Sequence, residues 1–163
     1  MAGAAQRAYV GLGGNLGDAR ATVQAGLAAL AANAEVALVA CSSLYRSAPV
    51  EAGGPDFINA VAAIDTTLSP AQLLAVLQAI ELDHGRQRPY RNAPRTLDLD
   101  LLLHGATVMD TPTLTLPHPR LQQRAFVLQP LLELAPDLTL PGHGRLDAFL
   151  PATAGQRIER LPG

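Results

Sequence analysis

Between positions 97 and 102 the chain reads Leu97-Asp98-Leu99-Asp100-Leu101-Leu102. Side chains on a strand point to opposite faces in turn, so Asp98 and Asp100 project from one side while Leu97, Leu99 and Leu101 project from the other. Such a segment suits a sheet with one face packed on a core and the other able to hold carboxylates against solvent or a ligand.

The rest of the chain supplies partners for this strand. Residues 8–12 read as a first strand running into Gly13-Gly14-Asn15-Leu16-Gly17, a turn of permissive residues. Asp18 is placed to cap a helix in which Val23, Leu27, Leu30 and Ala31 recur at helical spacing, and Asn33 suits its end. The pattern then predicts a second strand over 36–45, a Gly/Pro-bearing loop over 47–56 and a third strand over Phe57–Thr66. Phe57, Asn59, Val61 and Ala63 share one face of that third strand. Ser69-Pro70 opens a second helix along Leu73, Leu74, Leu77 and Ile80, which Gly85 closes. With the aspartate strand ending near His104, the order is β-α-β-β-α-β, the split βαβ or ferredoxin-like arrangement. It predicts an α+β sandwich: an antiparallel sheet with helices on one face and the other face open to a ligand. Residues 121–134 predict a further helix containing Pro130, a C-terminal helical extension, and the tail beyond reads as mostly irregular.

At 163 residues the chain is most simply one domain spanning 1–163, long enough to bury a real core. A charged fraction of 16% beside a hydrophobic fraction of 48% describes an ordered globule. The formal net charge of −2 argues against a general nucleic-acid binder, which carries a basic excess. All 12 basic residues are arginine, so the P-loop signature and lysine Schiff-base chemistry are both excluded. Cys41 is the sole cysteine and reads as a small, reduced core residue, with no disulfide or CxxC pair possible within the chain. The first residues lack the basic and apolar regions of a signal peptide, and no window approaches a membrane span. The expectation is a cytoplasmic monomer acting on small molecules, with neither nucleic acid nor membrane as partner.

Two carboxylates two residues apart repel unless a cation lies between them, and Mg²⁺ takes hard oxygen ligands of this kind. Just upstream lie Arg86, Arg88, Arg91 and Arg95, whose planar guanidiniums suit phosphate oxygens. Each half alone has an ordinary reading, a solvated strand face and a solvated loop. Together they match a magnesium–polyphosphate substrate and point to ATP chemistry.

Other residues leave two readings open. Glu81 falls on the apolar side of its helix near the C-terminal end, either as a snorkelling surface acid or as a group facing the ligand. Phe57 and Asn59 suit a core ring and an edge amide, or equally a stacking surface and a hydrogen-bonding edge for a planar heterocycle. His118, followed by Arg120 and Arg124, is either a loop histidine or an extension of the phosphate-binding surface. Gly13-Gly14-Asn15 lacks the full spacing of a dinucleotide fingerprint, so a Rossmann site is rejected.

From about residue 8 to residue 140 the chain resembles the 6-hydroxymethyl-7,8-dihydropterin pyrophosphokinase family. The resemblance rests on Gly13-Gly14-Asn15-Leu16, Leu44-Tyr45-Arg46-Ser47, Asp56-Phe57-Ile58-Asn59-Ala60, Ile80-Glu81 and Gly85-Arg86-Gln87-Arg88. It continues through Ala93-Pro94-Arg95-Thr96-Leu97-Asp98-Leu99-Asp100, Pro117-His118 and Arg124-Ala125-Phe126. The resemblance implies a ferredoxin-like fold and transfer of pyrophosphate from ATP to the pterin's hydroxymethyl oxygen, releasing AMP, in folate biosynthesis. It implies that Asp98 and Asp100 hold two Mg²⁺ ions, and that Arg86, Arg88, Arg95, His118 and Arg124 surround the triphosphate, with Arg86 and Arg95 catalytic. Glu81 matches a residue on the nucleotide side. Asn59 matches the reader of the pterin edge, Phe57 and Phe126 the rings that sandwich it, and Ser47, Ala48 and Val50 the segment giving backbone contacts.

The chain departs from the family pattern at Asn92, where a tryptophan is common in a loop that is here one residue shorter. Phe57 stands where tyrosine is frequent, and Pro119 where an aromatic sometimes follows the histidine. The rival reading is a non-catalytic ferredoxin-like module binding RNA or a metabolite. Its aromatic platform would comprise Phe57 alone, beside two acids that repel RNA phosphates.

Overall fold

The computed structural model describes residues 4–14, 18–48, 56–85 and 97–162. In chain order the first elements are β1 (Gln6–Gly14), α1 (Ala19–Ala32), β2 (Val36–Cys41), β3 (Tyr45–Ser47), β4 (Phe57–Thr66), α2 (Pro70–Gly85) and β5 (Asp98–His104). There follow β6 (Met109–Asp110), β7 (Thr115–Leu116), α3 (Ala125–Leu134), β8 (Thr139–Leu140), β9 (Gly144–Arg145), α4 (Leu150–Thr153) and β10 (Ile158–Arg160).

The main sheet is antiparallel in every pairing, with strand order β10-β3-β4-β1-β5 and β2 also against β4. The second strand expected over 36–45 is two strands. β2 pairs with the later half of β4 and β3 with its first three residues. Ser42 makes the junction: its N–H donates to the Val61 carbonyl and its hydroxyl accepts the Val61 N–H, both at 2.9 Å. A polar side chain bonding backbone in place of the ladder is what interrupts the strand.

Both helix starts follow the sequence signals. The Asp18 carboxylate accepts the Ala21 N–H at 3.0 Å. Ser69 and Gln72 form a reciprocal capping box, Ser69 Oγ accepting from Gln72 N at 3.2 Å and Gln72 Oε1 from Ser69 N at 2.9 Å. These helices bury Val23, Leu30, Leu73, Leu77 and Ile80 against Val10, Leu12, Ala60, Ala62, Leu99 and Leu101 on one side of the sheet.

The expectation of helices on one face holds for α1 and α2 only. α3 packs on the opposite face, where Val127, Leu128 and Leu131 meet Tyr9, Val61, Ala63 and Leu103. Those four sheet residues are apolar, so this half of the second face also needs a cover. The helix expected over 121–134 is divided: a 3-10 turn over Leu121–Gln123 stops at extended Arg124 before α3 begins. The tail is more ordered than its composition suggests, with β8 and β9 forming a hairpin and β10 adding a strand beside β3. Cys41 is half-buried, and burial pushes its thiol up from the ordinary value.

Candidate active site

Where α3 ends its cover, the second face of the sheet carries polar residues. In register, Gly13 of β1 pairs with Asn59 of β4 on one side and Asp98 of β5 on the other, while Gly11 pairs with Val61 and Asp100. Paired residues in a sheet present the same face. Asp98 and Asp100 therefore share a face with Asn59, separated from it by a strand whose two facing positions are glycines. A Cβ at Gly11 would come no closer than 3.6 Å to any neighbour, so only the space above the sheet profits from its absence. At Gly13 a Cβ would lie 3.1 Å from Asn59 Oδ1. The glycines make a bare floor between the acids and the amide.

Asp98 is half-buried and Asp100 exposed, with buried Leu97, Leu99 and Leu101 holding the strand down from the other side. Glu81 makes a contact that neither sequence reading specified. Its Oε2 accepts the Leu99 N–H at 2.9 Å, so the helix carboxylate bonds the backbone between the two aspartates.

His118 follows a cis Leu116–Pro117 bond and donates its backbone N–H to the Leu102 carbonyl at 3.0 Å. Its Nδ1 accepts the Arg120 N–H at 3.2 Å, which places the proton of the neutral ring on Nε2. Burial lowers its pKa first; the Asp100 charge pulls the other way, and Arg124 and Arg120 push down further. The charges of Asp100 and Arg124, from separate stretches of sequence, are thus both felt at His118. The Arg124 guanidinium lies 5.4 Å from the Phe126 ring centroid, a cation–π distance.

Asn59 is buried and donates from Nδ2 to the buried Ser47 Oγ at 2.7 Å, leaving Oδ1 over Gly13. Phe57, paired with Ser47, and Phe126 on α3 are both half-buried, as is Ala48. Val50 and the arginines Arg86, Arg88, Arg91 and Arg95 lie outside the described residues, as does Asn92. Among the described residues no cluster of three or more His, Cys, Asp or Glu is placed to hold a metal.

Glu133, on α3, braces β3 beside the site, and nothing in its sequence surroundings marks it. Its carboxylate accepts the Tyr45 hydroxyl at 2.7 Å and the Ser43 N–H at 2.9 Å, with Arg160 3.6 Å away. It thereby ties α3 to the start of β3. Burial alone would raise its pKa, but the Tyr45 and Ser43 hydrogen bonds and the Arg160 charge hold it below the ordinary value of 4.5. A depressed carboxylate adds stability that is complete above that ordinary value and lost as pH falls through the folded one. Glu133→Gln is expected to lower the melting temperature at neutral pH, with the deficit shrinking as acid protonates the wild-type group. Equal deficits at pH 7 and pH 3 in thermal melts would contradict this role.

A family model described as 7,8-dihydro-6-hydroxymethylpterin-pyrophosphokinase matches residues 9–136. The chain is 53% identical, over 97% of its length and 98% of the relative's, to the 2-amino-4-hydroxy-6-hydroxymethyldihydropteridine pyrophosphokinase of Pseudomonas aeruginosa. To the protein of the same name from Haemophilus influenzae it is 45% identical, over 94% and 97% of the two chains. Its fold is similar to that of the wild-type Plasmodium falciparum HPPK-DHPS solved with pteroate, at TM-score 0.71 and 12% identity, covering 90% of this chain and 42% of that one. Matched over most of its length by both the family model and these relatives, the chain belongs to the 7,8-dihydro-6-hydroxymethylpterin-pyrophosphokinase family.

Proposed function

We propose that the chain, as a single pyrophosphokinase domain over residues 1–163, moves the pyrophosphoryl group of ATP to the hydroxymethyl oxygen of 6-hydroxymethyl-7,8-dihydropterin and releases AMP. The observation that carries this reading is the row Asp98–Gly13–Asn59. Two strand spacings separate the acid from the amide, roughly 10 Å across a bare floor. A pterin held by Asn59 can direct its hydroxymethyl arm over Gly13 toward a phosphate held at the aspartates. The strand order supports the ferredoxin-like reading, with α3, α4 and β10 as its C-terminal extension.

Asp98 and Asp100 fit Mg²⁺: they are hard oxygen donors on one accessible face beside a phosphate-compatible histidine and arginine. Bound there as two ions, Mg²⁺ would supply Lewis-acid polarisation and neutralise phosphate charge. The protein's own groups position and screen. Glu81 fixes the backbone between the acids, His118 offers Nε2–H to a phosphate oxygen, and Arg124 adds a fixed positive charge. Arg86, Arg88 and Arg95 complete the triphosphate surroundings in this reading, with Arg86 and Arg95 acting on the transferred group. Phosphoryl transfer needs chiefly alignment and charge stabilisation, which these groups provide. Phe57 and Phe126 stack the pterin, Asn59 reads its edge, and Ser47, Ala48 and Val50 offer backbone partners.

We assign the chain to the cytoplasm as a monomer; no helix among the described residues is long and apolar enough to cross a membrane. An RNA-binding role is disfavoured by the two acids on the face that would meet phosphates. Incubation with Mg-ATP and the hydroxymethyl pterin is expected to yield AMP only when the pterin is present. ADP as product, or AMP formation independent of the pterin, would overturn the assignment.

A further inference from the structure

The C-terminal segment touches both the strand that carries Ser47 and the turn that carries Arg124. β10 pairs with β3 through Ile158↔Ser47 and Arg160↔Tyr45. Two residues before that strand, the Gln156 side chain makes two hydrogen bonds to backbone: Oε1 accepts the Ala125 N–H at 2.9 Å, and Nε2 donates to the Gln123 carbonyl at 2.7 Å. A backbone N–H can only donate and a carbonyl only accept, so the two contacts determine the amide's orientation. They bracket a single residue, Arg124.

Three observations give this clamp a purpose. Arg124 is extended, φ −124° and ψ 114°, between a 3-10 turn and α3, so both flanking elements end there. On an extended residue the preceding carbonyl and the following N–H face the same side, and one side-chain amide can meet both, as a neighbouring strand would. Next, α3 has no side-chain cap of its own, because arginine at that position has no acceptor to offer. Gln156 supplies the missing acceptor from 31 residues away. Finally, Gln156 is itself anchored: its N–H donates to the Thr153 carbonyl at 2.9 Å, and the buried Thr153 bonds the Leu150 carbonyl at 3.0 Å. β10 holds the segment from the other side.

We propose that Gln156 is a positioning residue for pyrophosphoryl transfer, holding the Arg124 backbone extended so that the Arg124 guanidinium and the Phe126 ring enter the site together. This rests on the roles given above to those two residues. Without the clamp, the turn can continue as helix through position 124, since the 3-10 turn and α3 are separated by that residue alone. The guanidinium would then leave its place over the Phe126 ring, 5.4 Å from the ring centroid.

The test is a double-mutant cycle on the full chain, with steady-state kinetics in both substrates and a thermal melt for each variant. Gln156→Ala should lower kcat/KM roughly tenfold, the effect of losing a bonded pair beside the reacting groups. Gln156→Glu keeps the acceptor but sets a carboxylate oxygen against the Gln123 carbonyl, and should lose as much or more. Arg124→Ala should by itself lower activity, and adding Gln156→Ala to it should cost clearly less than it does in the wild-type background, because part of the clamp's effect acts through the Arg124 guanidinium and only the remainder through Phe126. Arg157→Ala, next in sequence and exposed, should behave as wild type. An equal penalty from Gln156→Ala in both backgrounds would overturn the proposal, as would a lowered melting temperature with unchanged kcat/KM. Wild-type turnover in the same assay tests the pyrophosphokinase reading separately. If wild type makes no AMP, that reading fails, and the amide chemical shifts of Ala125 and Phe126 in Gln156→Ala against wild type still decide whether the clamp exists.

Discussion

Asp98→Ala and Asp100→Ala are each expected to reduce pterin-dependent AMP formation by roughly a thousandfold or more, because a metal clamp contributes several kcal/mol of charge stabilisation and each 1.4 kcal/mol is a factor of ten. Asp100 makes the cleaner measurement. Its side chain is exposed and stands opposite Gly11, so its removal leaves no cavity and no neighbour to collapse. Asp100→Ala should therefore melt close to wild type while failing to turn over. Asp100→Asn keeps the shape and removes the charge, and should be nearly as inactive, since a neutral amide is a poor partner for a doubly charged cation. Raised Mg²⁺ should recover part of the activity of either variant if the loss is one of metal affinity. Wild-type rates in Asp100→Ala at ordinary Mg²⁺ would remove the carboxylate pair from the mechanism.

Asn59→Ala should show the opposite kinetic signature. The loss falls on the pterin: kcat/KM for that substrate drops roughly a hundredfold, the equivalent of about 3 kcal/mol for two hydrogen bonds made in a desolvated pocket. Nucleotide affinity in the absence of pterin should be unchanged, because Asn59 lies across the glycine floor from the aspartates. Gly13→Ala probes the same contact without touching the amide. Its methyl would stand 3.1 Å from Asn59 Oδ1, tight enough to crowd the oxygen and shield it from a ligand. It should raise the pterin KM with little effect on ATP binding. Isothermal titration with each ligand separates the two sides, and an equal loss for ATP and pterin would show that Asn59 is not a pterin reader.

Much of this architecture was legible in local pattern. The alternation from Leu97 to Leu101 requires a strand with acids on one face, and β5 begins at Asp98 with Leu99 and Leu101 buried beneath. Asp18 and Ser69 announce helices because a short polar side chain can satisfy only the amides just ahead of it, and both do so. The third strand shows its bounds, Phe57–Thr66, in local pattern as well, because its alternate face and flanking turn residues lie within one window. The candidate residues were also legible in kind: paired acids, arginines, an amide and rings each imply their chemistry. The break at Ser42 was not, since it depends on the Val61 backbone 19 residues away.

The sequence by itself determined which segments become strands and helices and which faces of them are apolar, because those properties follow from neighbours within a few residues. Only the tertiary structure decided that Asp98, Gly13 and Asn59 stand in one row, that α3 covers half of the second sheet face, and that Glu81 bonds the strand between the two acids. Glu133 and Gln156 belong to the same class, each a single polar side chain acting on backbone far away in sequence. Strand register and side-chain-to-backbone bonds over such separations come from the packing of whole elements against one another, and no local periodicity encodes them.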